Sequence, residues 1–321
     1  MLEELEEPPF EPGPQEFIEA IEAATAALER ERQTRYVKDG KLYGKLAILD
    51  ALPEEFVVIG DIHGDLHTLI SILKDIDYKR LLSNPHNKLL FLGDYVDRGS
   101  NSVGVLYTVC CLKQKFPDSV LLMRGNHEAP LEFPFFSHNL PNELTRRYGS
   151  NRGKLIYDDK IIPFFQMLIL IVLIRGQLLI VHGGLPTDKE LLAKVHSEKK
   201  LEVLSRQQFF NNVLIEEILW NDPVEHLPRG VEWEYSRRGY GKHFGGTVSK
   251  KWLKATESKI ILRGHEPCAG FKVNHEGAVL TLFSCHEAYP GFNAAYLKVS
   301  QSQLESISHP DQLLSYVKKI S

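Results

Sequence analysis

Leu89-Leu-Phe-Leu-Gly-Asp94-Tyr-Val-Asp97-Arg98-Gly99 decides the reading of this chain. Its first four residues form an apolar run of strand length that stops at Gly93. Two carboxylates and a guanidinium then crowd into one tight loop. A strand interior has no use for that many charges, whereas a site handling a metal-bound anion does. Asp94 can hold a cation, or bridge two with its two oxygens. Asp97 is free to orient another group, and the planar fork of Arg98 suits a phosphate. Taken alone, the loop reads equally well as a solvated turn after a buried strand.

Further loops of the same build decide between these readings. Phe56-Val-Val-Ile runs into Gly60-Asp61-Ile-His63-Gly64. Val120-Leu-Leu-Met runs into Arg124-Gly-Asn126-His127-Glu128. Leu178 to Val181, the second strand of a hairpin that begins at Leu168, delivers His182-Gly183-Gly184, and Ile260-Ile-Leu delivers Arg263-Gly264-His265. Each strand stops at or near a glycine and places Asp, Asn or His just beyond its carboxyl end, where sheet proteins bind ligands. Leu66, Leu69, Ile70 and Leu73 have helical spacing, so a helix starts right after the Asp61 loop and turns its amino end to the site.

The ligand-capable groups are Asp61, His63, Asp94, Asn126, His182 and His265. All are oxygen or nitrogen donors, which suits two ions of the Mn, Fe, Co or Zn kind rather than a structural zinc. Two such ions about 3.5–4 Å apart can share one carboxylate. Asp94 is the natural one, being central in the order. Two carboxylates against two divalent cations leave the site positive before Arg98 is counted.

Bulk properties exclude several classes. The chain has 321 residues, 25% of them charged, with a net charge of −4 and no block of Lys and Arg, so it offers no track for nucleic acid. The longest apolar stretch, Ile161 to Ile174, is too short for a bilayer span and is broken by Pro163 and Gln166. The acidic Met1-Leu-Glu-Glu is unlike a signal peptide. The cysteines, Cys110, Cys111, Cys268 and Cys285, form no disulfide framework and read as reduced, which points to the cytoplasm.

The five loops, in this order, resemble the signature of the PPP family of metal-dependent serine/threonine protein phosphatases, within the calcineurin-like metallophosphoesterases. The resemblance covers about residues 40–300. It implies an α/β (mixed α+β) fold, a four-layer sandwich of two mixed β-sheets flanked by helices. It implies Asp61, His63 and Asp94 on one ion, and Asp94, Asn126, His182 and His265 on the other. It further implies phosphoserine and phosphothreonine substrates, attacked in line by a hydroxide bridging the two ions, with Mn the usual metal in vitro. His127 would protonate the leaving oxygen, Asp97 would orient His127, and Arg98 would neutralise the phosphoryl oxygens. Arg238, with Arg237 the competing assignment, resembles a second phosphate-binding arginine. The stretch Phe283-Ser-Cys-His286-Glu-Ala-Tyr289 departs from the loop that eukaryotic members carry there, and resembles a prokaryotic branch.

Two alternatives stand beside this reading. One is a diadenosine-tetraphosphate hydrolase or other phosphodiesterase of the same fold; such enzymes usually lack the Asp97-Arg98 pair. The other is an inactive phosphoprotein-binding scaffold, disfavoured because every ligand and His127 are intact.

Around the catalytic domain, 39–305, the composition predicts a mobile Glu/Pro-rich arm over 1–15, a helix within 16–38 and a helical tail over 306–321. The arm is a candidate for recruiting a regulatory partner. Lys41 to Ile48 reads as a loose connection, 77–87 as a polar loop, and 312–320 as a short helix. The aromatic residues at 133–148 read as packing. The histidines outside the motifs, His138 among them, read as surface or satisfied core, with His243 and His286 nearest the site.

Overall fold

The computed structural model describes residues 11–198, 201–205 and 211–320. Alternation along the short strands builds the layers. In Glu55–Ile59, Phe56 and Val58 enter one apolar cluster while Val57 and Ile59 enter another. In Lys88–Phe91, Leu90 parts from Leu89 and Phe91 in the same way. A strand buried on both faces lies inside a sandwich. The sheet made by these strands is five-stranded, in the order Val317–Ile320, Ala294–Ser300, Glu55–Ile59, Lys88–Phe91, Val120–Leu122.

Against it packs an eight-stranded sheet in the order Tyr36–Val37, Gly40–Tyr43, Leu46–Leu49, Ile171–Ile174, Leu178–Val181, Ile260–Arg263, Val279–Leu282, Phe271–Asn274. Val58, Leu90 and Leu121 of the first sheet share one buried cluster with Val172, Ile180 and Leu262 of the second. The outer face of the smaller sheet is covered by the helices Pro14–Thr34, Leu66–Asp75 and Ser102–Lys115. The outer face of the larger is covered by Lys189–Glu198, Asn212–Trp220 and Gly246–Thr256. This is the expected four-layer arrangement, with a small third sheet (Trp233–Tyr235, Lys242–Phe244, Asp222–Pro223) added beside it.

At their carboxyl ends the two sheets touch. Asp61 bridges to Phe283 and Met123 to Ile169, each in parallel fashion. The loops after Glu55–Ile59, Lys88–Phe91, Val120–Leu122, Leu178–Val181 and Ile260–Arg263 therefore meet at one end of the sandwich.

The helix Pro14–Thr34 turns Phe17, Ala20, Ile21, Ala24 and Leu28 inward at helical spacing. Its Gly13 N–H donates to Glu16 at 2.9 Å, which satisfies one free amide of the first turn. Glu31 pairs with the buried Lys113, whose ammonium also donates to Pro117 O and Val120 O. Residues 1–10 of the expected arm lie outside the described residues.

Several expectations need correction. The stretch 41–48 is not a loose connection: Gly40–Tyr43 and Leu46–Leu49 form a hairpin, and the second strand pairs in parallel with Ile171–Ile174. Leu46 and Ile48 alternate with Ala47 and Leu49 between the two faces, but Lys41, Gly44 and Lys45 mask that period in the sequence. Within 77–87 a helix forms over Tyr78–Ser83, burying Tyr78, Leu81 and Leu82. Among the described residues of the tail, Ser306 closes the helix Gln301–Ser306, a short helix forms over Asp311–Leu314, and Val317–Ile320 is an edge strand antiparallel to Ala294–Ser300. Val317 and Ile320 are compatible with either state, and the open edge of the sheet selects the strand.

Candidate metal and phosphate site

Left-handed backbone marks the site. His63, Asp94, Asp97, Arg98 and His265 all have φ between 47° and 69°. This conformation is costly for residues with a Cβ, and it persists only where the surroundings enforce it. The enforcement is visible in the hydrogen bonds. Glu128 accepts from the amides of Asp94 (2.8 Å), Tyr95 (2.9 Å) and Gly125 (2.9 Å), and so ties two of the loops together. Ile62 and His63 both donate their amides to Asp94 O. Gly125 is required by space, because a Cβ there would collide with the Asp94 carboxylate.

The six expected ligands converge. His63 Nδ1 is engaged by Val96 O at 3.0 Å and His182 Nδ1 by Leu92 O at 2.9 Å. Each ring is thereby oriented with Nε2 toward Asp94, at 3.6 Å from Oδ2 for His63 and 3.4 Å from Oδ1 for His182. Asn126 Oδ1 lies 3.1 Å from His182 Nε2 and 2.8 Å from His265 Nδ1. Asp61 Oδ1 accepts the His265 amide at 2.9 Å, while Asp61 Oδ2 is buried without a hydrogen bond, 3.9 Å from His63 Nε2. Two groups of donors close enough to share an ion, His63–Asp94–His127 and Asp94–His182–His265, have Asp94 in common.

The donor set fits two divalent ions. It contains no thiol, it holds a buried carboxylate oxygen with no hydrogen bond, and two of its imidazoles, those of His63 and His182, are locked by backbone carbonyls on their far nitrogens. Protonation strains the same cluster. Burial and the neighbouring Asp94 push the Asp61 carboxyl up. Burial pushes the His63 imidazole down to about 4. Burial acts the same way on His182, but Asp94 outweighs it and lifts the group to about 9. Burial also works against ionisation of Asp94, and His182 and His127 hold its carboxyl well below the usual range despite that.

Beside this nest His127 Nδ1 stands 2.7 Å from Asp97 Oδ2. Its ring lines a cavity of about 470 Å³ together with His63, Asp94, Asn126 and His265. Arg98 and Arg238 also line it. Arg238 Nη1 is 3.1 Å from His265 Nε2 and 3.3 Å from Asp222 Oδ2. Asp222 in turn takes the buried Arg263 at 2.8 Å. Arg237 is exposed and does not line the cavity.

Five aromatic residues complete the lining: Phe135, Phe136, Trp220, Tyr240 and, from the departing loop, Tyr289. That loop is anchored by the amides of His286 and Glu287 on Asp65 Oδ2, both at 2.9 Å. The aromatic residues at 133–148 therefore do more than pack: Phe135 sits 4.4 Å from the His127 ring, and Phe136 is fully exposed at the cavity edge. His243 and His286 do not line it; His243 faces Glu234 and His286 faces Phe292 O.

Sequence reasoning passed over His138. Its Nδ1 lies 2.9 Å from Asp97 Oδ2, and its Nε2 lies 2.7 Å from the hydroxyl of Tyr157. No local motif announces it, since it reaches Asp97 across 41 positions of chain.

A nest of buried oxygen and nitrogen donors, a His–Asp pair and arginines meet at the joined carboxyl ends of a β-sandwich, an arrangement suited to metal-assisted phosphoester chemistry. Residues 55–269 match the family model described as calcineurin-like phosphoesterase, and the chain belongs to that family, in its serine/threonine protein phosphatase branch. Serine/threonine-protein phosphatase T of Schizosaccharomyces pombe is 32% identical over 274 residues, covering 80% of this chain and 53% of that protein. A putative serine/threonine-protein phosphatase of the same yeast is 31% identical, covering 73% of this chain and 70% of that protein. The chain thus spans about half the length of several curated relatives it matches, including serine/threonine-protein phosphatase 5 of Arabidopsis thaliana. In three dimensions it resembles a Saccharomyces cerevisiae protein serine/threonine phosphatase described as similar to human phosphatase PP5 (TM-score 0.69, 23% identity, 90% of this chain and 84% of that one), which supports the fold.

Proposed function

We propose that the chain hydrolyses phosphoserine and phosphothreonine monoesters in proteins. The observation that carries this reading is the His127–Asp97 pair, at 2.7 Å, in the same cavity as the ligand nest and two arginines. A monoester of an aliphatic alcohol needs a proton on its leaving oxygen and charge relief on its phosphoryl oxygens. The cavity offers a group for each task.

Asp61, His63, Asp94, Asn126, His182 and His265 would hold two divalent ions of the Mn, Fe, Zn or Co kind, with Asp94 shared. Such ions, when bound, supply Lewis acidity and lower the pKa of water. Arg98 and Arg238 grip the phosphoryl oxygens. His127 donates its Nε2 proton to the departing serine or threonine oxygen. Asp97 accepts the Nδ1 proton and so stabilises the imidazolium from which the Nε2 proton is given up. Burial opposes the charge on His127, but Asp94 and Asp97 outweigh it and raise the group from its ordinary value, the direction that favours an acid.

The Asp97-Arg98 pair also argues against a dinucleoside-polyphosphate hydrolase, whose phosphate leaving group needs no such proton. No helix among the described residues is long and apolar enough to cross a membrane. With the four thiols free and buried, this supports a reducing, cytoplasmic setting. The arm approaches the site indirectly: Pro12 O accepts from the Tyr148 hydroxyl, and Glu11 pairs with Arg147 at 3.4 Å. These contacts support a regulatory partner reaching the site through the helix Leu140–Tyr148.

The test is phosphate release from a phosphothreonine peptide with added Mn, comparing wild type with His127→Asn. A fall of about 10²–10⁴ in the variant, as for a lost general acid, is expected. An untouched peptide together with cleavage of diadenosine tetraphosphate would replace this reading by the dinucleotide one.

A further inference from the structure

Asp97 is held from two directions. Its Oδ1 accepts the amides of Asn139 (2.6 Å) and Leu140 (3.0 Å), and its Oδ2 receives His127 Nδ1 (2.7 Å) and His138 Nδ1 (2.9 Å). Three of these donors come from the one segment 138–140 that opens the helix Leu140–Tyr148. Tyr157, the first residue of a π-helical turn over Tyr157–Ile161, stands behind His138 with its hydroxyl 2.7 Å from Nε2. Such turns recur at functional sites because they redirect one side chain out of the helical register.

The chemistry of this chain of contacts is directional. A carboxylate can only accept, so His138 Nδ1 must carry a proton toward Asp97. Its Nε2 is then a lone pair, filled by the Tyr157 O–H. The phenol occupies the nitrogen that Asp97 leaves free and so holds the ring in place, and His138 satisfies the second lone pair of an oxygen that would otherwise turn toward whatever donor came near. The Phe135 ring, 5.6 Å from that of His138 and 4.4 Å from that of His127, closes the space between the two imidazoles.

We infer that Tyr157 and His138 form a positioning arm that fixes Asp97, and through it the leaving-group acid His127, without touching phosphate or metal. The inference rests on the phosphomonoesterase reading above. It assigns a role to two residues outside the five motifs, and it predicts an effect confined to proton delivery.

Leaving-group dependence isolates that effect. An alkoxide needs the proton from His127, whereas p-nitrophenolate leaves without one. With Mn added, His138→Phe should lower kcat on a phosphothreonine peptide by about 10- to 100-fold, the range for loss of an outer partner, with KM unchanged and p-nitrophenyl phosphate turnover largely intact. His138→Asn, which restores an N–H toward Asp97, should recover much of the loss. Tyr157→Phe removes a single hydroxyl and should show a smaller loss with the same selectivity. Equal losses on both substrates, a change in KM alone, or no loss in either variant would overturn the inference.

A readout without substrate separates this from failure of the functional reading. In Zn-loaded protein His138 should report a proton on Nδ1 in wild type and in Tyr157→Phe alike, with the Nε2 resonance displaced in the variant as its hydrogen bond is lost. Inactivity on the peptide together with this Nε2 displacement refutes the substrate and retains the arm. An unchanged spectrum in Tyr157→Phe refutes the arm.

Discussion

The ligand nest and the arginine rim share one end of the sandwich and are built in opposite ways. Asp61, Asp94, Asn126 and His182 are at most 3% exposed, and their free atoms are aimed by backbone amides, carbonyls and Glu128. Arg98 is exposed and the Arg238 side chain is 42% exposed, its guanidinium beside the Asp222 carboxylate and the His265 imidazole. The difference follows from what each must do. A cation site gains affinity from donors already in place, since ordering them on binding costs entropy. A phosphate arriving on a protein surface needs arms that can admit it and then close.

The deepest break of that contrast is within the nest. Asp94→Ala should cut turnover by well over the roughly 100-fold that loss of an outer partner costs, because both donor groups lose a member. Metal content measured on the purified variant should fall with it, and a fully loaded, fully active variant would dismiss the shared-carboxylate assignment. Gly125→Ala attacks the same point through the backbone, since the added Cβ meets the Asp94 carboxylate. A loss of about 10- to 100-fold, again with reduced metal content, is expected.

Chelation sharpens the contrast thermodynamically. Ions that bind only the folded nest stabilise it by about 3 kcal/mol at a hundredfold excess over their Kd. Removing them with a chelator should lower the melting temperature of wild type and of Arg238→Ala alike, and leave Asp94→Ala nearly unmoved. Arg238→Ala itself should raise KM by about tenfold, a loss of some 1.4 kcal/mol of binding, while leaving the metal-loaded melting temperature unchanged. A drop in melting temperature there would show the arginine to be part of the nest rather than of the rim.

The smallest expected effect concerns the thiols. Burial pushes Cys268 and Cys285 up to about 12 and raises Cys110 and Cys111. Native protein should therefore resist iodoacetamide at neutral pH, with labelling by mass spectrometry appearing only after unfolding.

The motifs were readable because their causes are local. A strand that ends at Gly60 or Gly93 and turns through left-handed residues needs that glycine and those polar side chains whatever else the chain does. His138 was not readable, because a histidine between Ser137 and Asn139 carries no sign of the carboxylate it will meet. The hairpin over 40–49 and the edge strand Val317–Ile320 were missed for a related reason. Their residues suit more than one state, and the partner strands that decide lie far along the chain.

By itself, then, the sequence determined the five strand ends, the chemistry of the six donors and the company of Asp97 with Arg98, since turn geometry and ligand type are properties of a few adjacent residues. Tertiary structure alone decided which oxygen of Asp61 is left without a hydrogen bond, which of two neighbouring arginines reaches the cavity, and that Tyr157 stands behind His138. Those outcomes depend on how two sheets and the loop over 133–140 pack together, and packing is a property of the whole chain.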